Sequence, residues 1–153
     1  MTSSTDRIER SVLINAAPSR VWKALTNAEE FGSWFGVALK GKTFSAGQPV
    51  QGHITVPGYE HVMFDVVIER VEPETLFSYR WHPYAVDPAV DYSKEPTTLV
   101  EFTLKPTGSG TLLTVVESGF DKIPVARRAE AFRMNDGGWQ GQMANIEKYV
   151  SSQ

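Results

Sequence analysis

Over the last thirty residues the apolar side chains Val125, Ala129, Phe132, Trp139, Met143, Ile146 and Val150 follow one another at steps of three or four, and once seven. That spacing places them on one stripe of an α-helix. Pro124 suits its first position, where a missing N–H costs nothing. A long helix with one apolar stripe needs an apolar surface to lie on, and the preceding segment supplies it. From Val37 to Gly119 turn residues recur every ten or so positions, with β-branched and aromatic residues between them, which is the punctuation of an antiparallel meander. The expected fold class is therefore α+β, an antiparallel sheet with the C-terminal helix packed on it.

Strands are predicted near residues 38–44, 50–56, 61–72, 75–82, 97–106 and 111–119. One more strand is predicted at residues 7–14, where Ile8, Val12 and Ile14 share a side at the period of two. Between that strand and the meander, Pro18 opens a short helix carrying Val21, Trp22 and Leu25. Asn27 can cap a second helix, with Glu29 and Glu30 at the positive end of its dipole. This second helix carries Phe31, Trp34 and Phe35 and stops at Gly36. The stretch from Pro83 to Pro96 is rich in proline and acidic residues and too long for a hairpin turn, which predicts a mobile flap over one end of the sheet.

With 153 residues, 41% hydrophobic and 22% charged, the chain fits one globular domain with a packed core. The absence of cysteine excludes disulfides, thiolate metal sites and a cysteine nucleophile. A net charge of −3 with scattered basic residues is unlike a nucleic-acid binder. The N-terminus is polar and no apolar run approaches the ~20 residues that span a bilayer, so no membrane insertion is expected and the cytoplasm is the predicted location.

The order of strand, two short helices, meander and long helix resembles the START-like, or birch-pollen-allergen-like, helix-grip fold. Local motifs narrow the resemblance: Ala17 to Trp22 opening the first helix, Trp34 to Gly36 ending the second, and Gly138-Trp139 followed by Met143, Ile146 and Tyr149. Glu72-Pro73 before Tyr79 to Trp81, and Gly110-Thr111 before Glu117 to Phe120, complete the set. Together they resemble the family named after the activator of the heat-shock chaperone ATPase, within the START/SRPBCC superfamily. The resemblance covers nearly the whole chain. It implies one START-like domain over residues 1–153, with residues 1–6 as a disordered tail, a curved antiparallel sheet wrapped around the C-terminal helix, and a pocket between sheet and helix for an apolar small molecule. The eukaryotic namesakes bind the chaperone and carry an additional N-terminal domain. A chain of this length looks more like the bacterial branch.

Phe77, Tyr79 and Trp81 should share one face, as should Val100, Phe102 and Leu104, and Leu113, Val115 and Glu117. Such aromatics are ordinary core residues, or some of them line a cavity. A carboxylate among them is costly unless it lies at an open rim, has a partner or is neutralised. Rim exposure is the simpler expectation for Glu117, and an anchor for a ligand hydroxyl or carbonyl is the sharper one. Asp136 interrupts the helical stripe and Gly137-Gly138 follow, at about 1 kcal/mol each against alanine. Either the helix breaks there, or side chains were removed to admit a ligand, with Asn135 or Asp136 supplying polar atoms.

His53, His61 and His82 lack any spacing that would pair them on one face, so no metal site is expected. No Gly-x-Ser-x-Gly elbow and no phosphate-cradling glycine loop occurs. The leading expectation is a binding protein for an apolar, aromatic or lipid-like compound, without a cofactor. The residues expected to line its site are Trp34, Phe35, Phe64, Tyr79, Trp81, Phe102, Glu117, Phe132, Asn135, Asp136 and Trp139. Cyclases and hydrolases of polyketide-like substrates share related folds. An enzyme with Glu117, Asp136 or His82 as acid–base group is thus the second expectation. A chaperone-binding module using the outer sheet face is the third. The chain is expected to be monomeric or weakly dimeric.

Overall fold

The computed structural model describes residues 6–152. The first strand, β1 (Arg7–Ile14), is followed by helices α1 (Pro18–Thr26) and α2 (Ala28–Phe35). Strands β2 (Pro49–His53), β3 (Met63–Glu72), β4 (Leu76–Trp81), β5 (Thr98–Pro106) and β6 (Thr111–Ser118) come next. A single 3-10 turn at Phe120–Lys122 leads into helix α3, Val125–Ser151. All strand pairs are antiparallel, and the spatial order β1-β6-β5-β4-β3-β2 brings the first strand beside the last. Most of the expected tail lies outside the described residues. Asp6 does not belong to a free tail, because its carbonyl accepts the N–H groups of Gly119 and Phe120.

Each short helix is delimited by the residues that suggested it. Pro18 stands at the start of α1, and the Asn27 side chain accepts the Glu30 N–H at 3.0 Å to cap α2. Gly36 ends α2 with a left-handed φ of 94°, a conformation glycine adopts without a Cβ clash. The expected strand over 38–44 is absent. Val37 makes one isolated bridge to Ile54, after which a turn from Leu39 to Lys42, with Gly41 at φ 79°, carries the backbone off the ladder. Among the described residues the sheet consequently has six strands where the sequence had suggested seven. A register shift between Ile68 and Arg70 in β3 supplies a bulge, a device that bends and twists a strand.

Alternate residues of each strand form the concave face. Phe64, Val66 and Ile68 of β3, Phe77 and Tyr79 of β4, Val100 and Phe102 of β5, and Leu113 and Val115 of β6 are all buried there. α3 lies across them and buries Ala131, Trp139, Met143, Ile146 and Val150. The helix runs without a break through Gly137 and Gly138, which removes the idea of two shorter helices. Its first turn does not reach the core: Val125 is 78% exposed, and Ala131 rather than Ala129 makes the inward contact. Among the described residues, no helix is long and apolar enough to cross a membrane.

Candidate functional site

The seam between sheet and α3 is filled at its centre. Trp139 packs against Phe102 at 5.6 Å between ring centroids, Trp81 at 5.8 Å and Phe35 at 6.2 Å. Tyr79 lies among Phe31, Phe64, Phe77 and Phe102 and is 1% exposed. A recess of about 90 Å³ remains, between Phe35, Trp81, Asn135, Gly138, Trp139 and Gln142. The gap expected along the middle of the helix is reduced to this recess.

The open space is at one end of the sheet. β3 pairs with β2 from Met63 onward but meets β4 only from Val67 and Arg80. Beyond that point Trp81 pairs with β5 alone, and the chain leaves the sheet through residues 83–96. The divergence opens a cleft of about 520 Å³. Phe35, Phe64, Trp81 and Asn135 form its inner part, His61, Val62 and Met63 one side, and Tyr84 to Pro88 with Val90 to Ser93 the other. Tyr84 takes a left-handed φ of 50° as the loop departs, uncommon for a residue with a Cβ.

One side chain from α3 fastens both ends of this loop. Arg127 Nη1 donates to the Pro83 carbonyl at 2.7 Å, and its Nη2 lies 2.6 Å from Glu95 Oε1. The same guanidinium stands over the Tyr92 ring at 4.8 Å from its centroid. His82 Nε2 is within 3.0 Å of the Glu95 carbonyl oxygen, so the loop base is joined to the end of β4 as well. The expected flap is thus a strap held at its roots, with its middle forming the cleft.

Glu117 is fully buried, which overturns the expectation of a rim carboxylate. The register explains its surroundings: Glu117 stands opposite Val100 on β5, so Thr98 is its diagonal neighbour on the concave face. Its Oε2 accepts from the Trp81 indole at 2.7 Å and the Thr98 hydroxyl at 2.5 Å. Oε1 accepts from the Trp139 indole at 2.8 Å and the Asn135 amide at 3.0 Å. Three strands and the helix are joined at one carboxyl group. Burial pushes its pKa up, opposed by the same four donors. Nearby, burial and the Glu117 charge hold the Tyr79 hydroxyl well above the usual phenol range. That hydroxyl has no hydrogen-bond partner among the described residues.

Of the expected site residues, Phe35, Phe64, Trp81 and Asn135 line the cleft, and Trp139 lines the small recess beside it. The others serve elsewhere. Trp34 is buried with its indole donating to the Ala24 carbonyl at 2.8 Å, and Phe132 packs edge-on to Phe120. Asp136 is ion-paired with Arg10 of β1 at 2.9 Å, outside the cleft. Tyr79 and Phe102 are core. Sequence reasoning missed the strap residues Tyr84, Val86 and Tyr92. Their signal was aromatic and apolar side chains inside an otherwise polar, proline-rich loop. Among the described residues no cluster of three histidine or acidic side chains could hold a metal ion.

Residues 15–151 match the family described as activator of Hsp90 ATPase homolog 1-like protein. The chain belongs to this family. No curated protein matches it. Among solved structures, protein MLL2253 of Mesorhizobium loti is 24% identical with a TM-score of 0.70, over 95% of this chain and 97% of that one. Protein NE0264 of Nitrosomonas europaea is 18% identical with a TM-score of 0.74, over 99% and 98%. DynU16, encoded in the dynemicin biosynthetic locus, is 22% identical with a TM-score of 0.69, and the match covers 95% of this chain but 47% of DynU16. At these identities the likeness shows the helix-grip fold. This family member carries a cleft of about 520 Å³ beneath the strap and a recess of about 90 Å³ beside α3.

Proposed function

We propose that this chain binds an apolar or aromatic small molecule in the cleft under residues 83–96. The observation that carries this reading is a cavity of about 520 Å³ with Phe35, Phe64 and Trp81 at its base and the Asn135 amide beside them. An apolar floor with a few placed polar groups, in that volume range, is the usual make-up of a ligand site. Glu117 is a poor candidate for an acid or base acting on a guest, because all its strong acceptor positions are occupied and it lies outside the cleft. Asp136 is held by Arg10. Of the acid–base candidates, His82 alone lines the cleft, so an enzyme reading of the polyketide cyclase or hydrolase kind rests on that imidazole. A chaperone-partner role comes only with the family's description.

Calorimetric titration with a neutral aromatic probe such as naphthylethanol tests the binding reading. Ala85→Phe adds a ring from the strap into the cleft. It is expected to weaken binding at least about tenfold, which is about 1.4 kcal/mol, while the thermal midpoint stays put. Equal affinity in the variant would move the site elsewhere. Recovery of the probe chemically unchanged agrees with a binding protein, and turnover lost in His82→Gln would make the chain an enzyme.

A further inference from the structure

Apart from the imidazoles of His61 and His82, the ionisable side chains lining the cleft are acids and tyrosines. Asp65, Asp87 and Asp91 line it, and no lysine or arginine does. Arg127, which holds the strap, is matched by Glu95 at 2.6 Å and stands over the Tyr92 ring. A carboxylate guest would therefore meet Asp87 and Asp91 with no lysine or arginine among the lining residues to offset them. Aromatic rings make up much of the remaining surface: Phe35, Phe64, Trp81 and Tyr84, besides Tyr92, whose ring already carries Arg127. Ring faces attract cations through their quadrupole, most strongly for tryptophan. Two independent features, the ring-lined interior and acids with no lysine or arginine in the lining, thus favour the same guest.

Resting on the binding role proposed above, we infer that the cleft selects organic cations: an apolar or aromatic body that enters against Phe64 and Trp81, bearing an ammonium group that meets Asp87 and Asp91. The geometry divides the work by depth. Phe64 is 3% exposed and closes the inner end, whereas Asp87 and Asp91 sit on the solvent side of the strap. An amine at the mouth keeps part of its hydration, so it avoids the cost of full burial. Asp91 is kept ionised by the Ser93 hydroxyl at 2.7 Å and the Ser93 N–H at 3.0 Å, which hold its carboxyl below the usual range. Free fatty acids and other lipid anions, by the same reasoning, are the wrong class.

Three probes with one naphthyl body separate charge from shape: naphthylethylammonium, naphthylethanol and naphthylacetate, titrated by calorimetry at low and at moderate salt. The ammonium is expected to bind about tenfold tighter than the alcohol at low salt, the carboxylate more weakly than the alcohol, and the spread to shrink as salt rises. In the double variant Asp87→Asn with Asp91→Asn, the ammonium's advantage over the alcohol should fall by about half or more on the logarithmic scale. The alcohol's own affinity should persist there, which shows that the strap has kept its shape. Equal or tighter binding of the carboxylate, or an ammonium preference untouched by the double variant, would overturn the charge selection while leaving a binding cleft. No heat of binding from any of the three would overturn both.

Discussion

Glu117 shows how one residue can hold a protein together at a cost. Its two oxygens accept from Trp81, Thr98, Asn135 and Trp139, and indole nitrogens can only donate. Glu117→Gln keeps the shape but turns one acceptor into an NH2 that faces donors. At least one buried N–H then lacks a partner, which should lower stability by about 1–3 kcal/mol. The unfolded carboxyl titrates near about 4.3, and burial raises the folded value. The folded state therefore binds this proton more tightly. The stabilising contribution is complete below the unfolded pKa and is lost as pH climbs through the folded one. Denaturant midpoints of both proteins measured between about pH 4 and about pH 8 should show the wild-type advantage widest at the acid end. A gap that widens toward alkaline pH would contradict the raised value. The carboxylate's place on the concave face was legible in the alternation of β6, whereas its four donors were not, because they come from three separate elements.

At the scale of elements, α3 carries an unexplained pair of glycines. A Cβ built on Gly137 or on Gly138 would meet nothing within 4 Å, so neither is required for packing. The helix continues through both, and alanine at each should add about 1 kcal/mol of stability, read from urea unfolding. The two positions differ in one respect. Gly138 lines the recess beside Trp81 and Trp139, and Gly137 does not. Gly138→Ala is therefore expected to weaken binding of a guest that reaches into this recess, while Gly137→Ala leaves affinity unchanged. Equal effects of the two on affinity would remove the recess from the site. The existence and period of α3 were plain from its stripe. Where the stripe would begin to touch the sheet was not, since Val125 and Ala129 fit the period yet lie outside the core. The failed strand at 38–44 has a similar origin. Its alternation is real, but Gly41 and the turn behind it end the ladder after a single bridge.

For the molecule as a whole, the ends of the chain are the closing contacts. β1 lies along β6 over its full length, Asp6 accepts from Gly119 and Phe120, and Arg10 reaches Asp136 on α3. Tyr149 and Arg20 meet at Glu30, which fastens α3 to both short helices. The buried apolar side chains form one cluster. Unfolding is therefore expected as one transition, with far-ultraviolet circular dichroism and tryptophan fluorescence superimposing. An early loss of β1 alone would show that these contacts do not join the ends into one unit. Periodicity and turn chemistry by themselves determined the three helices and six of the seven expected strands, in their order, because these depend on neighbours a few residues apart. Phe35, Phe64, Trp81 and Asn135 were legible as lining residues, but the place of the open volume was decided by tertiary structure. Whether Phe102 fills a seam or lines a cavity depends on how far Trp139 reaches toward it. The opening beneath residues 83–96 exists because β3 outruns β4, a difference in pairing that no local pattern encodes.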